Sequence, residues 1–545
     1  MLAPPQSRQA PRALIDLGLL ALSALAFALS FPSFLSNAGW FPLAFVCLAP
    51  LFAVVHRAKW SAIPFYGIFF GYAAYALFNY WLGTFHPLTL VIVPPIYAVC
   101  FLVTLPVLKL VDSLYPRYGS FLQAAVWVCY EYFLKSNGFL AFSYGNMGYS
   151  QYGFLPFIQI ADTVGVWGVS LMVVIPSALI GNAFASGLAS LRESWRHYAW
   201  SGAAYGLLFI GVVVYGLSFQ VDTRGDRQWK VALVQQNVDP WKGGYAAYRQ
   251  SLDVLEKQSL AVLRENPEIV IWSETSFVPA IDWHTRYRPD TETYGLVKEL
   301  RAFLAAQQVP FVVGNDDGQL KRVEEGQEVR VDYNASILFD KDRIVDTYRK
   351  IHLVPFTESF PFEKTLPVIY NWLKSADTHF WEKGTVATVF EAGGVRFSTP
   401  ICFEDTFGYL CRRFVAEGAD VLVNITNDSW SFSVPCEMQH MTTALFRAVE
   451  NRRSLVRSTN GGMTNIIDPN GRILGSLPPF AEGHLVGTVP VHTGAATLYT
   501  RWGDWFPWVL LAAGAVGIAV GVIRRLLSGA RGPGGRGARP RGTRE

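Results

Sequence analysis

Between residues 13 and 219 the chain passes through seven apolar stretches, near 13–30, 40–56, 62–83, 89–111, 120–134, 156–185 and 199–219, and an eighth lies at 505–523. The hydrocarbon core of a bilayer takes about 20 apolar residues per helix, with tolerance for shorter ones. The pattern therefore commits the chain to a multi-span membrane domain, and the fifth stretch, the shortest, has the softest limits. Charged residues are 16% of the 545, well under the roughly 25% of a soluble protein. With 38 Phe, 24 Tyr and 17 Trp as well, a wholly soluble, disordered or fibrous chain is excluded. The first stretch, with Arg8 and Arg12 before it and Ala-Leu-Ala inside it, has the outline of a signal peptide. The spans that follow make an uncleaved first helix the expectation.

The short loops divide by charge. Arg8 and Arg12 precede the first span, Arg57 and Lys59 follow the second, Lys109 and Arg117 the fourth, and Arg192 and Arg196 the sixth. Seven arginines fall in the last 22 residues. The opposite loops have none in 31–39 or 84–88, and Lys135 alone in 135–155. Short basic loops stay in the cytoplasm, so both termini are expected there and 220–504 on the other face. Net charge is only +4, and the tail supplies more than that. No basic domain of the kind that binds nucleic acid is present.

The stretch 220–504 has an ordinary soluble composition. Strand-like runs at 230–235, 269–272, 310–314, 335–339, 395–402 and 420–425 alternate with helical patterns at 246–265, 291–308 and 435–453. Such alternation builds a layered α/β or α+β domain. The expected division is a membrane domain of seven helices at 1–219, a globular domain at 220–500, an eighth helix at 501–524 and a disordered basic tail at 525–545. Six cysteines in this length are no disulfide scaffold, and neither CxxC nor HExxH occurs, so no metal site is expected. Cys47, Cys100 and Cys129 sit in apolar runs as small hydrophobes, while a bond between Cys411 and Cys436 stays open.

Three motifs set a reactive residue just beyond an apolar strand, where folds of this class place catalytic groups. IVIWSETS carries Glu274, YRKIHLVPFTESFPF carries Lys350 and Glu358, and VRFSTPICFEDTF carries Cys402, Phe403, Glu404 and Asp405. Singly, each has an ordinary reading: a cap or ion pair for Glu274, a surface pair for Lys350, a buried inert thiol for Cys402. A cysteine at a strand-to-helix turn is also open to a lowered thiol pKa, because a helix N-terminus favours negative charge. In the order Glu, Lys, Cys the three are far more specific. Glu274 can take the thiol proton. Cys402 can hold an acyl group as a thioester. Lys350, with backbone N–H groups, can stabilise the oxyanion.

This constellation resembles the nitrilase superfamily and its αββα sandwich. Joined to eight spans, the chain resembles the bacterial apolipoprotein N-acyltransferases over about residues 13–523, including FFGYAAYALFNYWLG, GNMGYSQYGFLPFIQIADTVGVWGVS and TLYTRWGDWFPW. The resemblance implies a Glu274–Lys350–Cys402 triad supported by Glu358 and Glu404, with Trp241, Phe403 and Trp430 near substrate. It implies ping-pong transfer of an acyl chain from a membrane phospholipid to the α-amine of an S-diacylglyceryl cysteine on an apolipoprotein. It also implies an inner-membrane location, a catalytic domain on the periplasmic face, a monomer, and no cofactor, metal or nucleic-acid partner. Departures from the family pattern are Trp-Lys at 241–242, Phe403 after the nucleophile, Thr357 and SFSVPCEMQH at 431–440. A membrane-tethered amidase of the same superfamily would share the triad and differ in using water as acceptor.

Other features carry less. The aromatic and Pro-rich stretch 355–385 suits an arm that covers an acyl intermediate. Arg447, Glu450 and Arg453 recur at helical spacing and read as structural pairs. NDSW at 427–430 is placed at the pocket, and Tyr144, Asn146, Met147 and Tyr149 in an outer loop open to headgroups. His352 and His440 read as hydrogen-bonding structure.

Overall fold

The computed structural model describes residues 9–85, 87–137, 141–185, 187–239, 242–322, 327–375 and 380–530. Six helical segments among them are long and apolar enough to cross a membrane: Arg12–Leu29, Trp60–Phe78, Thr89–Leu114, Ala161–Ala185, Tyr198–Ser218 and Trp505–Ser528, the first within the helix Gln9–Leu29, the second ending with the helix Ile63–Phe78, the fifth within Gly187–Ser218 and the last within Trp505–Ala530. The other two apolar stretches take shorter forms. At 40–56 a 3-10 turn, Phe41–Phe45, precedes the helix Ala49–Arg57. Each begins with a proline in its first turn, where the missing N–H costs nothing, and Pro50 cannot continue a helix from the turn before it. At 120–134 the helix Ser120–Cys129 runs straight into a π-helix, Tyr130–Ser136. The last helix extends to Ala530, so 525–530 are helical, and the remainder of the expected tail lies outside the described residues.

The two ends of the bundle differ in chemistry. At one end Arg57 Nε donates to Asp16 at 2.7 Å, Arg12 donates to the Arg57 carbonyl at 3.3 Å, and Lys109 Nζ donates to the His56 carbonyl at 2.7 Å. Basic residues from three separate helices thus gather at one face. The other end carries the globular domain. Trp81, Ser143 and Val166 there bond Gln439, Thr406 and Glu450 of that domain at 3.1 Å each.

The globular domain holds twelve strands among the described residues. They are β1 (Arg227–Gln235), β2 (Ile269–Trp272), β3 (Phe311–Arg322), β4 (Glu328–Asp340), β5 (Arg343–Arg349), β6 (Phe390–Ala392), β7 (Val395–Ser398), β8 (Val421–Thr426), β9 (Ser454–Thr459), β10 (Asn465–Ile467), β11 (Ile473–Ser476) and β12 (Gly483–Val491). They form two six-stranded sheets, ordered β12-β1-β2-β3-β4-β5 and β11-β10-β9-β8-β7-β6. Each has a parallel centre, β1-β2-β3 in one and β7-β8-β9 in the other, flanked by antiparallel strands. The strand period of two decides the layers. On β1, Trp229, Val231 and Leu233 face the second sheet, where Trp229 meets Phe397 at 5.4 Å between ring centres. Ala232 and Val234 face outward, under the helices Tyr245–Leu263 and Thr291–Ala305. The second sheet is covered by Gly408–Ala416 and Val434–Asn451. The result is the expected αββα sandwich, beside a helical membrane domain.

Candidate active site

The parallel centres of the two sheets end at the same place. Glu274 lies two residues past β2, Lys350 directly follows β5, Cys402 lies four past β7, and Asn427 directly follows β8. The structure brings Glu274, Lys350, Cys402 and Glu358 together.

Lys350 is the hub. Its side chain is fully buried, and Nζ lies 3.2 Å from Glu274 Oε1 and 2.7 Å from Glu358 Oε1. Burial pulls an ammonium pKa down, but the two carboxylates outweigh it and hold Lys350 well above its ordinary value. The carboxylates have further donors. Asn334 Nδ2 donates to Glu274 Oε1 at 2.8 Å, the Asn427 N–H donates to Glu274 Oε2 at 2.9 Å, and the Val354 N–H donates to Glu358 Oε2 at 2.8 Å. Burial pushes the Glu358 carboxyl pKa up. Asn334 also lies 3.4 Å from Glu358 Oε1. One buried amide therefore spans both acids. In the sequence it is marked only as a polar residue inside a strand.

Glu404 is not at the reacting centre. It is a fully buried clamp. Tyr348 OH donates to both its oxygens at 2.8 Å, the Ile351 and His352 N–H groups donate to Oε1 at 2.7 and 2.8 Å, and the Ile401 N–H donates to Oε2 at 2.8 Å. The carboxyl thus ties the loop after Lys350 to the turn that presents Cys402. Burial raises its pKa to about 7, against these donors.

Cys402 opens a 3-10 turn, Cys402–Thr406, with φ of +52°. A non-glycine residue in the left-handed region costs about 1–2 kcal/mol. It is held there by Asn424, whose Nδ2 donates to the Pro400 and Cys402 carbonyls at 3.1 and 3.0 Å. The expectation of a lowered thiol pKa is corrected. Burial, and then the Glu274 carboxylate, push the thiol well above its ordinary value, and Lys350 does not reverse this. Five residues of 3-10 helix provide too little helix dipole to outweigh burial. That shift favours the protonated thiol.

Gly314 explains how β3 passes so close. A Cβ there would lie 2.2 Å from the Ser273 carbonyl oxygen and 2.7 Å from Glu274 Cα. No other residue allows that approach.

Phe403 and Trp430 face the membrane half. Phe403 is buried and stacks with Tyr144 and Phe142 at 6.3 Å each, and Trp430 lies 6.0 Å from Trp81. Trp241 lies outside the described residues. Tyr144, Asn146, Met147 and Tyr149 are buried, not open to headgroups. The aromatic rings among them pack against the domain: Tyr149 stacks edge-on to Phe446 at 5.1 Å. Arg447 and Glu450 form a buried pair at 2.8 Å, and Arg453 donates to the Arg452 and Gly494 carbonyls at 3.0 Å. His352 accepts or donates at Tyr409 OH, 2.9 Å, and burial pulls its pKa down to about 4. Cys411 and Cys436 are buried free thiols. The segment 355–375 leaves the site at Glu358, and its helix Pro367–Ser375 is widely exposed, with Val368 at 80% and Trp372 at 65%. The chain returns at Trp381, whose indole N–H donates to Asp316 at 3.1 Å.

Comparison with known proteins gives the family. A model described as carbon-nitrogen hydrolase matches residues 230–499, and one described as apolipoprotein N-acyltransferase N-terminal domain matches 23–179. Apolipoprotein N-acyltransferase 1 of Treponema denticola is 40% identical over 90% of this chain and 93% of its own. Apolipoprotein N-acyltransferase 1 of Treponema pallidum is 42% identical over 94% of this chain and 97% of its own. Among solved structures, an amidase from Nesterenkonia sp. is 19% identical with a TM-score of 0.35, covering 52% of this chain and 96% of that one. On the full-length relatives, the chain belongs to the apolipoprotein N-acyltransferase family.

Proposed function

We propose that the chain moves a fatty acyl group from a membrane phospholipid to the α-amine of an S-diacylglyceryl cysteine at the start of an apolipoprotein, through a thioester on Cys402. The observation that carries this is the buried Lys350 ammonium between Glu274 and Glu358 beside a protonated, strained cysteine. Glu274 takes the thiol proton as Sγ attacks the ester carbonyl. Lys350 Nζ faces the oxyanion that develops. Collapse breaks the ester C–O bond, the lysophospholipid oxygen takes the proton back from Glu274, and the acyl group remains on sulfur. The acceptor amine then attacks the thioester, gives its proton to Glu274, and the thiolate leaves and is reprotonated. Oxyanion stabilisation of this kind is worth about 10²–10³ in rate per donor.

The domain placement fits lipid substrates. Both connections, after Ser218 and before Trp505, leave the bundle on the end opposite the Arg12, Arg57 and Lys109 cluster. By the charge rule that cluster is cytoplasmic, so the site opens at the periplasmic face of the inner membrane. The buried stacking of Phe403 and the partner rings of Trp430 make these residues the wall between catalytic pocket and membrane. The exposed apolar helix Pro367–Ser375 serves as the arm over that wall. The enzyme acts as a monomer, since both substrates diffuse in the bilayer.

Peptide mass spectrometry after incubation with phospholipid micelles tests the proposal. An adduct of one acyl chain on Cys402, discharged by a diacylglyceryl peptide and absent in Cys402→Ala, is expected. Discharge by water alone at the same rate would move the reading to an amidase.

A further inference from the structure

Below the nucleophile turn lies a second ionic cluster that the acyl-transfer steps do not use. His440, on the helix Val434–Asn451, is 2% exposed. Its Nδ1 donates to Asp428 Oδ2 and its Nε2 to Asp405 Oδ1, both at 2.9 Å. Arg457, from β9, pairs with Asp405 and lies 3.6 Å from Asp428 Oδ2. The other groups facing the imidazole are the Tyr144 ring at 5.8 Å and, through Asp428, the Glu437 carboxyl one turn earlier on the same helix.

The two carboxylates hold different parts of the site. Asp405 is three residues after Cys402, in the same 3-10 turn. Asp428 follows Asn427, whose N–H holds Glu274 Oε2. One imidazole therefore joins the turn that presents the nucleophile to the loop that anchors the base. The adjacent Gln439 fixes the same helical turn to the membrane half: its Oε1 accepts from Trp81 Nε1 at 3.1 Å and its Nε2 donates to the Pro32 carbonyl at 2.8 Å.

We propose that His440 is a positioning residue that sets the separation of Cys402 and Glu274 and carries the seating of the membrane half to that separation. The inference rests on the assignment of Cys402 as nucleophile and Glu274 as base. Without the imidazole, Asp405 and Asp428 face each other across Arg457 alone, and their like charges drive the two loops apart. A displacement of about 1 Å at a reacting pair costs about 100-fold in rate.

The test measures two rates on full-length wild type, His440→Gln and Asp428→Asn in detergent micelles: alkylation of Cys402 by iodoacetamide, and acylation of Cys402 by phospholipid. Melting followed by tryptophan fluorescence gives the folded fraction. Per folded molecule, His440→Gln is expected to lose about 100-fold in acylation and to alkylate at least several-fold more slowly, with an unchanged KM for phospholipid. Wild-type rates in folded His440→Gln overturn the proposal, whatever its melting temperature. If His440→Gln does not fold, Asp428→Asn decides by the same rates, because it removes one anchor and leaves the Arg457–Asp405 pair. If the wild type alkylates but never acylates, the acyl-transfer reading fails, and alkylation of the variants still judges the positioning role.

Discussion

Buried charge dominates the chemistry at the scale of single residues. Two carboxylates hold the Lys350 ammonium against the cost of burial, so removing one is costly. Breaking a buried ion pair typically costs about 3–5 kcal/mol. Glu358→Gln is therefore expected to lower the melting temperature by several degrees and to slow acylation of Cys402 by about 10²-fold, since the remaining Glu274 must serve as both counter-ion and base. Wild-type acylation in Glu358→Gln would show that Glu358 does not hold Lys350. His440 makes a pH prediction. Burial opposes its charge, but Asp428 and Asp405 push its pKa from 6.5 up to about 9. The folded state thus binds this proton more tightly than the unfolded chain. The stabilisation is fully present below about 6.5 and is lost as pH rises through about 9, a change of roughly 3 kcal/mol. Melting temperature recorded from pH 6 to 10 should fall more steeply in wild type than in His440→Gln; parallel curves would exclude the imidazolium.

The elements show what the sequence made legible. Alternating apolar strands and amphipathic helices located β1, β2 and β8 to within a few residues, and the helices Tyr245–Leu263, Thr291–Ala305 and Val434–Asn451 as closely. Glu274, Lys350 and Cys402 stood out in the sequence because each follows a strand. β9 escaped because Arg457 reads as a surface residue, whereas it is fully buried against Asp405. β5 escaped because RIVDTYR is a polar edge strand with four exposed positions in a row. Asn334, which bridges both acids, and the Glu404 clamp depend on contacts between residues 60 and 56 positions apart, Glu274 with Asn334 and Tyr348 with Glu404. No local pattern records such pairs. The helix Pro367–Ser375 yields a prediction of its own. Its Val368 and Trp372 expose apolar surface, at 80% and 65%. Placing Asp at both positions should raise the KM for phospholipid at least tenfold, since each buried apolar side chain is worth about 1.5–3 kcal/mol, and leave alkylation of Cys402 unchanged. Equal loss of both rates would place the helix in the domain's core and not at the lipid.

At the scale of the whole molecule the membrane bundle and the sandwich share one apolar core, and buried polar contacts join them as well. Arg452, left-handed at φ of +50° where the helix Val434–Asn451 ends, reaches into the bundle, and its Nη2 lies 2.7 Å from Asp162 Oδ2. Gln159 accepts from the same guanidinium and donates to the Asn470 carbonyl at 3.0 Å. Trp167 donates to Asp504 at 2.7 Å, where the last span begins. Apolar packing tolerates sliding, whereas these bonds fix one orientation of the halves, which a site between membrane and domain requires. Arg452→Ala leaves Asp162 buried without its cation, and the penalty for an uncompensated charge is about 3–5 kcal/mol. Arg452→Ala with Asp162→Ala removes both charges, so it should recover most of that loss. The measurement is the melting temperature of the two variants in detergent, together with protease cleavage between residues 218 and 227. The single variant is expected to melt several degrees lower and to be cut sooner, and the double variant to lie nearer wild type. If the double variant is as unstable as the single, the pair contributes packing and not charge compensation, and the orientation of the halves rests on the remaining contacts.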